Sequence, residues 1–165
     1  MNFKEVWEKV EKVSGWFSEE EAFLLYVITK QQPLEAVIVE MGTAYGRSGS
    51  VINLSGRKLI TIDKNPEWQG IGAPEIIKGD SFEVSKQFKD ESVDMFFLDG
   101  DHDYLSVKID ISAWLPKVRI GGAVLFHDFE SWPGVTEAVQ EISAQGKIWK
   151  QFKLGSLLYS IKLHD

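Results

Sequence analysis

The sequence predicts a three-layer α/β fold, a doubly wound and mostly parallel sheet that ends in an antiparallel hairpin. Two observations carry that reading. After Pro33, short apolar runs alternate with amphipathic segments, the pattern of βα units stacked into a parallel sheet. Near the C-terminus, two strand-like runs are separated only by Leu154-Gly155, which leaves no room for a crossover helix and makes that pair antiparallel.

Phe3, Val6, Trp7, Val10 and Val13 recur at helical spacing, so residues 3–13 read as an amphipathic helix stopped by Gly15. Ser18 followed by Glu21 is a capping-box pattern that opens a second helix through about Lys30, and Pro33 breaks the chain beyond it. Buried strands are expected at 36–41, 58–63, 75–78, 93–98 and 123–127, and the hairpin at 147–153 and 156–162. Helices are expected at 46–54, 82–89, 103–116 and 134–145, with a short irregular one after Pro66. No repeat or linker composition interrupts the pattern. Residues 1–165 therefore read as a single domain with a helical cap over 1–30.

Composition narrows the function classes. The formal net charge is −7 with the basic residues scattered, which argues against a nucleic-acid backbone as the main partner. The chain has no cysteine, hence no disulfide framework and no thiolate nucleophile or metal ligand. The N-terminal stretch is charged and amphipathic, and no run approaches the roughly 18 apolar residues of a membrane span. The expectation is a cytoplasmic protein that acts on a small molecule without a membrane partner; the leading helices can cover a site or form a homo-oligomer contact.

In open α/β sheets ligands bind outside the carboxyl ends of the strands, so the residues just after each strand matter most. After the first strand comes Glu40-Met-Gly42-Thr43-Ala44-Tyr45-Gly46-Arg47-Ser48-Gly49. Its glycines permit a tight turn and close approach of a ligand to main-chain NH groups. The spacing is G-x-x-x-G-x-x-G rather than the dinucleotide G-x-G-x-x-G. An acidic residue two positions before the first glycine is awkward for a pyrophosphate and useful for a cationic ligand. The second strand ends in Asp63, close to the separation from the first strand at which an acidic residue meets ribose hydroxyls, although Asp63 can also cap a turn ahead of Pro66.

E-x-G-x-x-x-G, a strand ending in Asp63, and Lys78-Gly79-Asp80-Ser81 after the third strand resemble the motifs of class I S-adenosylmethionine-dependent methyltransferases. Asp99-Gly-Asp-His102-Asp-Tyr104, followed by Gly121-Gly122 and His127-Asp128, is similar to a narrower group, the small-molecule O-methyltransferases of cephalosporin-hydroxylase and macrocin-methyltransferase type. The resemblance spans about residues 34–130. It departs from the broader pattern at Ala44, where glycine is common, and at Phe129, where an amide ligand often follows the aspartate of metal-dependent members.

The resemblance implies a Rossmann-like fold and a set of roles. Glu40 lies beneath the glycine loop, near the cofactor's amino-acid end. Gly42, Thr43, Tyr45, Gly46 and Ser48 line the methionine portion, and Asp63 accepts from the ribose hydroxyls. Gly79, Asp80 and Ser81 address the adenine edge. Asp99 faces the methionine amino group or a metal.

Asp99, Asp101, His102, His127 and Asp128 all fall at the carboxyl ends of two strands that are neighbours in this fold. Converging carboxylates and imidazoles without cysteine suit Mg²⁺ or another hard or borderline divalent cation, with Asp99 and Asp128 as ligands and His102 or His127 beside them. Two close carboxylates repel unless a cation or a proton intervenes. His102 reads either as a general base or, like His127, as a hydrogen-bonding holder of loops. Asp103 fits a helix N-cap. Trp7, Trp16, Trp114 and Trp149 read as packing residues, while Trp68 and Trp132 sit in loop-like segments at the rim of the site.

The function expected is methyl transfer from S-adenosylmethionine to a small-molecule acceptor, through a hydroxyl oxygen, with catalysis resting on Asp99 and His102. The alternative is a cofactor-binding module or subunit without transfer activity. A nicotinamide oxidoreductase is disfavoured by the missing G-x-G-x-x-G and by the terminal hairpin.

Overall fold

The computed structural model describes residues 1–164. Among them, strands β1 (Ile38–Met41), β2 (Leu59–Asp63), β3 (Glu75–Lys78), β4 (Val93–Leu98) and β5 (Val118–Phe126) run parallel, and β6 (Ile148–Leu154) and β7 (Leu157–Lys162) form the terminal hairpin. The sheet order is β3-β2-β1-β4-β5-β7-β6, with β7 antiparallel to β5. The winding reverses between β1 and β4, so the crevice beyond their carboxyl ends is where this architecture receives ligands. Among the described residues no helix is long and apolar enough to cross a membrane.

Helices cover both faces. α1 (Phe3–Val10), α2 (Glu19–Gln31) and α3 (Arg47–Leu54) pack on one side, and α4 (Ser81–Ser85), α5 (Tyr104–Trp114) and α6 (Pro133–Ala144) on the other. Alternate residues of the central strands feed the two layers, as a period of two requires. Met95, Phe97, Ala123 and Leu125 join the α1–α3 core, whereas Phe96, Leu98, Val124 and Phe126 join the α4–α6 core. This double burial is why these strands read as unbroken apolar runs. The capping box of α2 forms as expected: the Glu21 NH donates to Ser18 Oγ and the Ser18 NH donates to the Glu21 carboxylate.

Beyond shifts of one or two residues at element ends, four departures from the sequence reading stand out. The first helix ends at Val10, three residues early, in a loop that continues to α2. No helix follows Pro66. The Glu67 and Gln69 NH groups donate to the carbonyls of Ala44 and Tyr45 instead, so this segment is spent buttressing the glycine loop. α4 stops at Ser85, where the Gln87 and Phe88 NH groups bond three residues back rather than four. β5 begins at Val118 and carries Gly121 and Gly122 inside it; a side chain at Gly122 would meet the Arg119 carbonyl at 2.8 Å.

Trp114 anchors the α5 layer. It is fully buried, stacks on Phe96 at 5.4 Å, meets Phe88 edge-on at 4.9 Å and donates its indole NH to Ser81 at 2.8 Å. Trp114→Ala is expected to lower unfolding free energy by about 3–5 kcal/mol, the range for emptying a large buried aromatic site. Urea denaturation checks it, and a loss under about 1 kcal/mol would contradict this account of the core.

Candidate active site

The glycine loop leaves β1 under tight steric control. Gly42 has φ +94°, and a Cβ there would fall 1.8 Å from the Asp99 carbonyl oxygen, so only glycine fits. Gly46 caps α3 in the left-handed region, and its missing side chain makes room for the Trp68 ring, 2.5 Å from where a Cβ would sit. Ala44 also sits at positive φ, +39°. The strain there explains why glycine suits this position better.

Glu40 is fully buried beneath the loop, accepts a 2.6 Å hydrogen bond from Ser48, and has its second carboxylate oxygen buried without a partner. Burial pushes its carboxyl up to about 8; the nearby hydroxyls of Ser48 and Thr61 oppose the rise, and the charges of Asp99 and Asp63 add to it. Asp63, at the end of β2, accepts from the NH groups of Thr43 and Ala44 through one oxygen and of Asn65 through the other. It thus serves both as the turn cap and as the brace of the glycine loop. Asp80 caps α4 through the NH groups of Phe82 and Glu83 and pairs with Lys64 at 3.2 Å. Ser81 receives the Trp114 indole proton.

Two cavities meet at this crevice. One, of about 470 Å³, runs past Asp63, Gly79, Asp80 and Ser81. The other, of about 510 Å³, is lined by Thr43, Tyr45, Gly46, Ser48 and the cluster of His102, His127 and Asp128. Gly42, Ala44, Asp99 and Gly100 border both. The structure therefore divides the expected site residues between two adjoining chambers, with Asp99 at the junction, except for Glu40, which lines neither and lies buried beneath the loop.

The acidic and histidine residues do converge. His127 Nδ1 lies 2.9 Å from Asp99 Oδ1 and 3.2 Å from Asp128 Oδ2, and the three donor groups fall within 4.8 Å of one another. Asp128 holds φ +59° and aims the same Oδ2 at His102 Nε2, 2.8 Å away. Burial works against charge on His127, but the facing carboxylates of Asp128, Asp99 and Glu21 outweigh it and push the imidazole up to about 12. Asp128 is held below its usual range because its contacts with His127 and His102 overcome its burial. A proton on His127 thus balances the carboxylate pair. His102 lies on the outer side of Asp128, stacked on Trp132 at 4.6 Å, so of the two histidines it is His127 that joins both aspartates. Asp101 turns to the loop backbone, and Asp103 caps α5 as expected.

Comparison with known proteins places these features in a family. Residues 39–129, more than half of the chain, match the family described as Methyltransferase domain. The chain belongs to that family. The matched stretch runs from β1 to the turn after β5 and so contains the glycine loop, Asp63, Asp99 and Asp128. A protein of Sinorhizobium fredii, y4gI, is 44% identical over 48 residues, a match that spans 29% of this chain and only 5% of that protein. In structure, the methyltransferase is similar to the O-methyltransferase from Bacillus cereus in complex with SAH (TM-score 0.69, 14% identity, 97% of this chain and 90% of that one). It is also similar to MycE of the mycinamycin biosynthetic pathway in complex with Mg, SAH and mycinamycin VI (TM-score 0.72, 14% identity, 99% of this chain); it spans 55% of MycE.

Three residues of this methyltransferase site escaped the sequence reading. Glu21 closes the capping box of α2 and also accepts from the Ser156 NH and hydroxyl in the β6–β7 turn, while its second oxygen lies 3.5 Å from His127 Nε2. Burial alone would raise Glu21; the nearby His127 imidazole and bonds from Ser156 and Ser18 hold it below the ordinary carboxylate range instead. Arg47 donates to the carbonyls of Glu11, Val13 and Phe17 and so fixes the α1–α2 loop as a wall of the larger cavity. Trp16, on that loop, is 85% exposed and lines the cavity, a reversal of its reading as a packing residue. Trp68 moves the other way, from rim to support of the glycine loop. Only the capping-box signal hinted at Glu21; contacts across 135 residues of sequence leave no local trace.

Because the fold favours the neutral form of Glu40, the stability this group contributes is complete below pH 4.5 and is lost as pH rises to about 8. Glu40→Gln is neutral throughout. Wild type should therefore lose stability relative to this variant between pH 4.5 and 8, by at most about 1.4 kcal/mol per pH unit. Parallel denaturation curves for the two proteins at pH 5 and pH 8 would refute the shift.

Proposed function

We propose that this chain is a cytoplasmic enzyme, one domain over residues 1–165, that transfers a methyl group from S-adenosylmethionine to a hydroxyl oxygen of a small-molecule acceptor. The observation that carries the reading is the meeting of two chambers at Gly42 and Asp99, one suited to a nucleoside and the other bearing proton-handling groups. SAH, present in both structural neighbours, is what the cofactor becomes once its methyl has left. S-adenosylmethionine supplies an activated methyl with a neutral thioether as leaving group, so the protein's tasks are binding, alignment and proton handling.

In this reading Gly42, Thr43, Tyr45, Gly46 and Ser48 hold the amino-acid end with Glu40 beneath them, Asp63 holds the ribose, and Gly79, Asp80 and Ser81 line the base end, with Asp99 facing the methionine amino group or a metal. His102 is the base. Asp128 holds its Nε2, Trp132 holds its ring face, and Nδ1 takes the proton from the acceptor hydroxyl.

The donor set also fits a divalent cation. Asp99 and Asp128 offer hard oxygens, His127 offers Nδ1, and Glu21 faces the other ring nitrogen as an orienting carboxylate does in metal sites. These three residues would hold Mg²⁺ or Mn²⁺, which supplies Lewis acidity that lowers the acceptor hydroxyl pKa.

Two measurements test the reading. Calorimetry should detect SAH binding and no comparable NAD binding, with Asp63→Ala weakening SAH by about 1–3 kcal/mol; a preference for NAD would overturn the methyltransferase assignment. Labelled methyl transfer to an identified acceptor should fall on chelation and return with Mg²⁺ or Mn²⁺. Transfer indifferent to chelation would remove the cation and leave His102 acting alone.

A further inference from the structure

The smaller cavity continues beyond Asp63 to a far end built by α4 and α5, and the groups there are unequally committed. Asp80 caps α4 with one oxygen and pairs with Lys64 through the other. Asp101 is exposed and accepts from the His102 and Asp103 NH groups. Ser81 is occupied by the Trp114 indole proton at 2.8 Å. That contact uses the serine oxygen as acceptor and leaves its own proton able to turn toward Asp110, whose carboxyl it lowers. Asp110 is partly buried, lines the cavity, and is the most shielded of the three aspartates at this end. Burial pushes it up to about 6; the Ser81 hydroxyl and the Lys64 charge oppose that, and the charges of Asp80 and Asp101 reinforce it. One serine proton cannot saturate a carboxylate, which has about four acceptor sites.

The cavity beside Asp110 presents apolar faces. Phe82 and Ile109 line it and remain 45% and 53% exposed, high values for such side chains next to a chamber. A planar ring with an apolar face and a hydrogen-bond donor at its edge complements this combination.

We propose that Asp110 determines specificity for the cofactor's base, its carboxylate accepting a hydrogen bond from the 6-amino group of adenine while Phe82 and Ile109 cover the ring. The proposal rests on the S-adenosylmethionine reading above and adds to it a residue one and a half turns into α5. Trp114 and Ser81 act behind Asp110 as positioning residues, the indole orienting the hydroxyl and the hydroxyl orienting the carboxylate. A base with a 6-oxo group in place of the amine sets an oxygen lone pair against the carboxylate, and a site built to accept a proton rejects such a ligand strongly.

The test compares SAH with its inosine analogue, S-inosylhomocysteine, by calorimetry on the full chain. Wild type is expected to prefer SAH by about 10- to 100-fold, the range for a hydrogen bond to a charged group. Asp110→Asn is nearly isosteric, and its amide can donate to a 6-oxo oxygen, so the preference should shrink to within a few-fold, mainly through tighter binding of the inosine analogue. Asp110→Ala should lose affinity for SAH and gain nothing comparable for the analogue. A folded Asp110→Asn protein that keeps the wild-type preference overturns the role of Asp110 and leaves the cofactor assignment standing. Wild type that binds neither ligand overturns both.

Discussion

Gly42 and the main chain of Asp99 touch so closely that no atom larger than hydrogen fits between them. This contact joins the loop after β1 to the end of β4, the two strands on either side of the switch point. Without it the glycine loop would stand away from Asp99, and the two chambers would share no wall. Asp63 completes the clamp from the other side by taking the Thr43 and Ala44 NH groups, and Trp68 fills the space that Gly46 leaves open. The loop is thus fixed from three directions before any ligand arrives, which is the preorganisation that alignment chemistry needs.

Charge balance is the second constraint. Glu21, Asp99 and Asp128 surround one imidazole, and two of the three reach the same ring nitrogen. His127 carries the compensating proton, and its ring is further fixed by Phe17 at 5.2 Å. Three carboxylates are in this way gathered around one imidazole, and its positive charge offsets the repulsion among them.

Much of this was legible in the sequence because it is local. Strand ends are marked by acidic residues that follow apolar runs, so Asp63 and Asp99 fall at the crevice, while Glu40 lies buried beneath the glycine loop, as the resemblance implied. The hairpin followed from the shortness of its connection. The segment after Pro66 was misread because its backbone partners, the Ala44 and Tyr45 carbonyls, lie over twenty residues away. Periodicity cannot register such bonds. Glu21 and Arg47 were missed for the same reason: each acts on the site through groups distant in sequence. For Trp16 the error was one of base expectation, since large aromatics usually bury themselves and this one faces a cavity.

Arg47 secures the α1–α2 loop through three main-chain carbonyls and not through the side chains of the residues it holds. A carbonyl is the same acceptor whatever residue bears it. Ser14 and Trp16 can therefore be exchanged over generations without unfastening the loop, while the chemistry opposite them stays in place. The wall of the larger cavity is in this way free to change its side chains while its backbone stays fastened to α3.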